Sequence, residues 1–386
     1  MKNIFLVFTF FILCFSNVSF AQEDYEDTKN NINKYIDEQL NQLNLNEIQN
    51  YIDESLVVEK QDIRSFFTDV ISGKKSLLDM FSKESIRMIL FDEVKSSLKV
   101  CSVILVLALL SAILKSLDNS FSSGTISEIT NYIIFITMVS FTLVSFNECL
   151  EIAMNTIDST IGLMNVIMPI LITLLVLIGL PVTSTILNPI FVGGVTFINV
   201  IFKDFLFVSI SIAFAILVVN NLSKNIKLTK FANFIKNLNL ISIGAVFTIY
   251  LGLVSLQGLY VTNIDNFTVK TAKFAVGNFI PVVGNFVSDS VDLILSSSQL
   301  IKGVFGGIGL ILLISICILP VIKVLSIILV YKLAAIVIEP VGEEKMSSFL
   351  SSVASLMTVL LACVIAISTM FFITIAILTS LSVVSG

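Results

Sequence analysis

TAKFAVGNFIPVVGN, Thr271 to Asn285, is apolar enough to lie in a bilayer but carries Gly277, Pro281 and Gly284 within eight residues. A continuous helix through all three is costly, because proline removes a backbone donor and glycine adds conformational entropy. The spacing therefore predicts a broken or re-entrant segment near residues 274–287. In lipid, freed backbone groups must be satisfied by protein or by a water-filled cavity. A break at this point calls for a packed interior around it, in an otherwise all-α membrane protein.

Composition supports that class. The chain is 56% hydrophobic and only 13% charged, with a mean hydropathy of +0.98, far beyond the usage of soluble domains. Histidine is absent, and Cys14, Cys101, Cys149, Cys317 and Cys363 stand singly, with no CxxC pair. Histidine triads and histidine metal sites are thereby excluded, and the cysteines read as small hydrophobes. No GxSG, HExxH or Walker pattern occurs, so no catalytic, cofactor or metal site is expected, and the chain does not read as an enzyme.

Outward from the break, the amino-terminal end reads as a signal peptide over residues 1–21, with an apolar run from Ile4 to Phe15 and Ser19-Phe20-Ala21 before QEDYED. Residues 22–97 are rich in acidic residues and lack long apolar runs; Leu45, Ile48, Ile52 and Leu56 keep helical spacing, and Gly73 marks a break. This predicts a small extracytoplasmic helical domain, followed by a transmembrane body over 98–386.

Within that body, Leu98 to Leu117, Ile129 to Phe146 and Ile161 to Leu180 each have the length of one span. Ile186 to Asn221 holds Lys203-Asp204 at its middle and divides best into two. Charge bias favours that division. The segment with Lys224, Lys227, Lys230 and Lys236 reads as cytoplasmic, and the loop with Glu148, Glu151 and Asp158 as external. Ile241 to Tyr260 follows as the next span. Val304 to Ile322 and Val324 to Ile338 are parted at Lys323, and Phe349 to Val384 closes the chain. The total is about nine crossings.

Charges inside apolar runs are functional candidates by default, since hydrocarbon penalises them. Lys203-Asp204, Lys302, Lys323, Lys332 and Glu339 are such positions. Lys203-Asp204 and Lys323 also read as charges at turns, and Lys332 either faces the bundle or snorkels to the membrane edge. Gly303, Gly306, Gly307 and Gly309 give a small-residue face suited to close helix contact or, less readily, to a pore lining.

TAKFAVGNFIPVVGN, the following SDSVD, LPVIKVLSI around Pro320 and Lys323, YKLAAIVIEPVG at Tyr331 to Gly342 and MFFITIAI at Met370 to Ile377 together resemble the stage III sporulation protein AE family of endospore-forming Firmicutes. The resemblance implies a component of a mother-cell membrane complex built with the other stage III sporulation A proteins and meeting stage II sporulation protein Q from the forespore. It also implies membrane lipid as surroundings and no nucleic acid. The resemblance further implies that such a complex is a channel or secretion-like conduit. Gly277, Pro281, Gly284, Lys323, Lys332 and Glu339 are the residues expected to line its path or shape its break. The alternative is a structural platform in which the same residues serve packing alone.

Overall fold

The computed structural model describes residues 45–81, 102, 106, 124–222, 228–279, 284–341 and 344–382. The expected signal peptide and the expected span Leu98 to Leu117 lie outside these residues or almost wholly so. Eight α-helices are described: α1 Leu45–Glu54, α2 Ile63–Ile71, α3 Gly124–Leu177, α4 Pro181–Asn199, α5 Val208–Leu222, α6 Thr229–Phe279, α7 Gly284–Ile338 and α8 Glu344–Ser380. A 3-10 turn, Leu77–Met80, follows α2, and an eight-residue π-helical segment, Val200–Phe207, joins α4 to α5. Among the described residues there is no sheet, and one isolated bridge pairs Val58 with Phe81.

The short helices form where their apolar residues and caps predict. α1 buries Leu45, Ile48 and Ile52 at helical spacing. Asp62 caps α2, its side chain accepting from the Ser65 amide at 2.8 Å. Gly73, at φ 72°, ends it: the Lys74 amide reaches the Asp69 carbonyl and the Gly73 amide the Val70 carbonyl, the paired bonds of a Schellman turn. The same device recurs between α3 and α4, where Gly179 has φ 83° and the Leu180 amide bonds to the Leu175 carbonyl.

Among the described residues, five helical stretches are long and apolar enough to cross a membrane: Tyr132–Leu177, Pro181–Leu222, Thr229–Ser255, Ile294–Ile338 and Glu344–Ser380. This differs from the segmentation into about nine crossings. The expected loop at Glu148 to Asp158 is the middle of α3, Lys203-Asp204 lies in helix that continues from α4 into α5, and Lys323 lies inside α7. The reason is local. Neither 147–158 nor 203–204 contains glycine or proline, and the charges sit on an accessible helix face or pair across it. Charge there marks a surface and not a turn.

α8 is the central helix. It packs against α7, α3, α6 and α5, and Phe349, Met357, Leu360, Cys363, Ile367 and Phe371 are all buried. A helix apolar on every face belongs in the interior. Around it, Phe135 meets Phe349 edge-on at 5.7 Å, Phe146 stacks on Phe214 at 4.0 Å, and the Tyr250 hydroxyl lies 3.0 Å from that of Thr374. α1, α2 and the 3-10 turn pack on the outside of α3 and α7. Phe67 meets Phe305 at 4.9 Å. The Tyr51 hydroxyl is so close to Gly162 that a Cβ there would lie 2.7 Å from it.

Candidate functional site

Two ion pairs tie other long helices to the middle of α3, about 15 Å apart along it. Lys203 pairs with Asp158, and Lys323 pairs with Glu148 at 3.0 Å, so two residues read as turn charges each reach across to α3. Glu148 and Asp158 are about half exposed, with side-chain exposures of 47% and 51%, and Glu151 and Asp204 are also exposed. The result is a charged belt around the middle of the bundle.

Beside the belt a cleft of about 390 Å³ opens between α3 and α7. Asn155 and Ser159 supply its polar wall, Ile316, Pro320 and Lys323 the opposite one, and Leu56 its rim. Pro320 sits inside α7 and has no N–H, which leaves the carbonyl of Ile316, one turn earlier, without its helical donor. The cleft thus combines an ammonium group, an amide, a hydroxyl and an uncommitted backbone carbonyl. Such a set can hold a small polar group or a strand of water; it contains no activated nucleophile. Leu56 reaches the rim because α1 ends at Glu54, before the position that helical spacing alone would include. Next to it, burial, with Glu54 and Glu47 nearby, holds the Tyr51 phenol above its ordinary pKa, so Tyr51 meets Gly162 as a neutral hydroxyl.

Among the described residues two further charges are buried, Lys302, which stands among the charges expected inside apolar runs, and Asp265, which sequence reasoning missed. Asp265 of α6 is 1% exposed. Its carboxylate accepts from the Val182 amide at 3.0 Å and from the Thr183 amide and hydroxyl at 2.7 Å. α4 begins at Pro181 after Leu180, which offers no capping side chain. A carboxylate from another helix therefore caps α4 and faces the positive end of its dipole. Nothing in the sequence near Asp265 signals this; only the uncapped start of α4 hints that some partner is needed. Lys302 is fully buried and its ammonium donates to the Leu381 carbonyl, just past the end of α8. A cation there satisfies a terminal carbonyl.

The remaining expected positions are dispersed. Gly277 lies within α6, two residues before its end at Phe279, and Gly284 is the first residue of α7; Pro281 lies outside the described residues. Lys332 is exposed on the outer face of α7 with Leu329, Leu333 and Ile336, and Glu339 is exposed in the 3-10 turn Glu339–Val341. The glycine face does pack: Gly306 lies directly against Thr379 of α8, Gly307 against Leu77, and a Cβ on Gly309 would be 2.9 Å from Ile167 of α3. Gly303 has no neighbour within 4 Å of such an atom.

The family model described as Stage III sporulation protein AE matches residues 61–382. Stage III sporulation protein AE of Bacillus subtilis strain 168 is 28% identical over 310 residues, covering 80% of this chain and 78% of the relative. No solved structure matches the chain. The family match runs from just before α2 past the end of α8 and takes in the belt, the Asp265 cap and all of the cleft but Leu56 on its rim; the chain belongs to the Stage III sporulation protein AE family.

Proposed function

We propose that this sporulation protein is a membrane subunit of a channel or secretion-like complex between mother cell and forespore, required for forespore development after engulfment. Family membership, joined to five long apolar helices among the described residues, supports that reading. On this proposal the protein lies in the mother-cell membrane around the forespore, with the signal peptide removed and the amino-terminal helices on the extracytoplasmic side. Its partners are the other stage III sporulation A proteins and, through them, stage II sporulation protein Q. It carries out no reaction of its own.

Within such a complex the chain acts as a packed platform more than as a pore wall. The observation that favours this is the closed contact of Gly306 with Thr379, together with the outward position of Lys332. A conducting role is favoured instead by the polar cleft at Asn155, Ser159 and Lys323.

Affinity purification of the tagged full-length protein from sporulating cells, with mass spectrometry of what accompanies it, tests the reading. The other stage III sporulation A proteins should be enriched over a tagged unrelated membrane protein. Their absence under conditions that keep the chain folded would overturn it.

A further inference from the structure

The apolar helices are too long for one bilayer. Tyr132–Leu177 and Ile294–Ile338 have 46 and 45 residues, about 68 Å of helix at 1.5 Å per residue, against about 30 Å of hydrocarbon. More than half of each helix must stand outside it, and the charges decide which half.

One end of the bundle is fixed by contacts among helix ends. Lys345 at the start of α8 lies over the Phe135 ring of α3, Ser347 donates to the Ala335 carbonyl of α7 at 2.8 Å, and the Asn220 side chain of α5 accepts from the Leu228 amide before α6. From this end to the near edge of the belt, at the Lys323–Glu148 pair, Tyr132 to Glu148 and Glu339 to Lys323 each cover about 24 Å, close to the height of the hydrocarbon layer. The outer faces over that height are mainly apolar: Ile133 and Val144 of α3, Ile212 of α5, Ile241 of α6, Leu333 and Ile336 of α7 are exposed, with Ser140, Asn233, Asn237 and Lys332 the polar exceptions.

Beyond the belt the outer face of α3 changes. Asn155, Ser159, Asn165 and Thr173 are exposed there. At the level of Gly162 and Phe305, α1 and α2 lie against the bundle, with Asp53, Glu54 and Arg64 exposed. Charged helices cannot occupy hydrocarbon depth without a large penalty.

We infer that lipid encloses only the half of the bundle between the charged belt and the Lys230–Lys345 end, and that the half bearing α1, α2 and α4 projects beyond the membrane. Lys230, Lys236, Lys332 and Lys345 gather at or near the enclosed end, which the positive-inside rule makes cytoplasmic. Lys332 lies about 10 Å from Glu339 along the helix. Above the belt, exposed apolar side chains persist mainly as a stripe on α4 and α6, including Val192, Phe197 and Leu253. This placement gives that stripe to water or protein and not to acyl chains. The inference is independent of the channel reading.

The chain has no tryptophan, so single substitutions give unambiguous fluorescent reporters. Val144→Trp and Leu333→Trp below the belt, and Asn165→Trp and Val192→Trp above it, are placed in the full-length protein in phosphatidylcholine vesicles carrying acyl-chain bromines. The first pair should be quenched by the brominated lipid. The second pair should keep its intensity, with Asn165→Trp quenched by aqueous acrylamide. Ile133→Trp and Thr173→Trp replace any variant that does not retain helical circular dichroism. Bromine quenching at Asn165→Trp and Val192→Trp equal to that at Val144→Trp would overturn the placement, as would its absence at Val144→Trp and Leu333→Trp.

Discussion

α7 forms two seams of opposite character. Towards α8 it is dry and closed: Gly306 admits Thr379, Gly309 lies against Ile375, and Lys302 reaches the Leu381 carbonyl. Towards α3, at Lys323, it is wet: an ion pair of partly exposed side chains borders a cleft of about 390 Å³. One helix therefore carries a spine that fixes its position and a face that can exchange water and partners. The two seams predict different responses to substitution.

The largest effect is expected at the dry seam. In Gly306→Leu the first added carbon already coincides with Thr379 on the central helix, and overpacking of a filled interior costs about 1–3 kcal/mol or more. The variant should fail to accumulate in the membrane, measured by immunoblot and by thermal aggregation in detergent. Gly303→Ala, one turn away with open space around it, should accumulate normally. Equal loss in both variants would show that the seam is not where the α7–α8 contact is set.

Asp265 comes next. Asp265→Ala leaves the amides of Val182 and Thr183 and the Thr183 hydroxyl without their acceptor, and a buried unmet donor costs about 1–3 kcal/mol. Asp265→Asn keeps one acceptor oxygen and should lie between alanine and the native protein in thermal stability. If asparagine is as damaging as alanine, the charge at the α4 dipole matters more than the hydrogen bonds.

The fold was legible where local chemistry is decisive. The apolar runs located the long helices, Gly73 ended α2, and the glycines of GVFGGIG marked a close contact. What the residues did not disclose is how far each helix continues. Glu148, Asp158 and Lys203 look like loop residues one at a time, yet their partners are 45 or more positions away in the chain; a charge that ends a helix and one that pairs across a bundle have the same local pattern. Lys323 was a candidate for a good reason and proves to face the cleft, whereas Lys332 meets the same criterion and faces outward. Asp265 was missed because its significance lies in the uncapped start of α4, 82 residues earlier for its bond to Thr183.

At the wet seam the effect should be modest. Lys323→Met removes a pair that is partly exposed at both ends, and such pairs contribute about 0.2–1 kcal/mol and are screened by salt. Protein levels should be unchanged and the thermal midpoint slightly lowered at low ionic strength, with the difference from native shrinking as salt rises. A large, salt-independent loss would mean that this seam is as closed as the one with α8.

Lys332→Met should do least. Lys332 shares an exposed face with Leu329, Leu333 and Ile336, so its methylene stem already lies among apolar side chains and its ammonium must extend toward the nearer polar surface. Methionine preserves most of the stem, removes the need to extend, and adds a thioether that packs readily against acyl chains. Neither seam touches this position. Spore counts and membrane levels should match the native protein, whereas Lys332→Glu, which puts a carboxylate with a shorter stem on the same lipid-facing surface, should reduce insertion. A sporulation defect in Lys332→Met at normal protein levels would break the contrast between the two seams, because it would place an essential charge on the outer face of α7, where neither the spine nor the cleft can account for it.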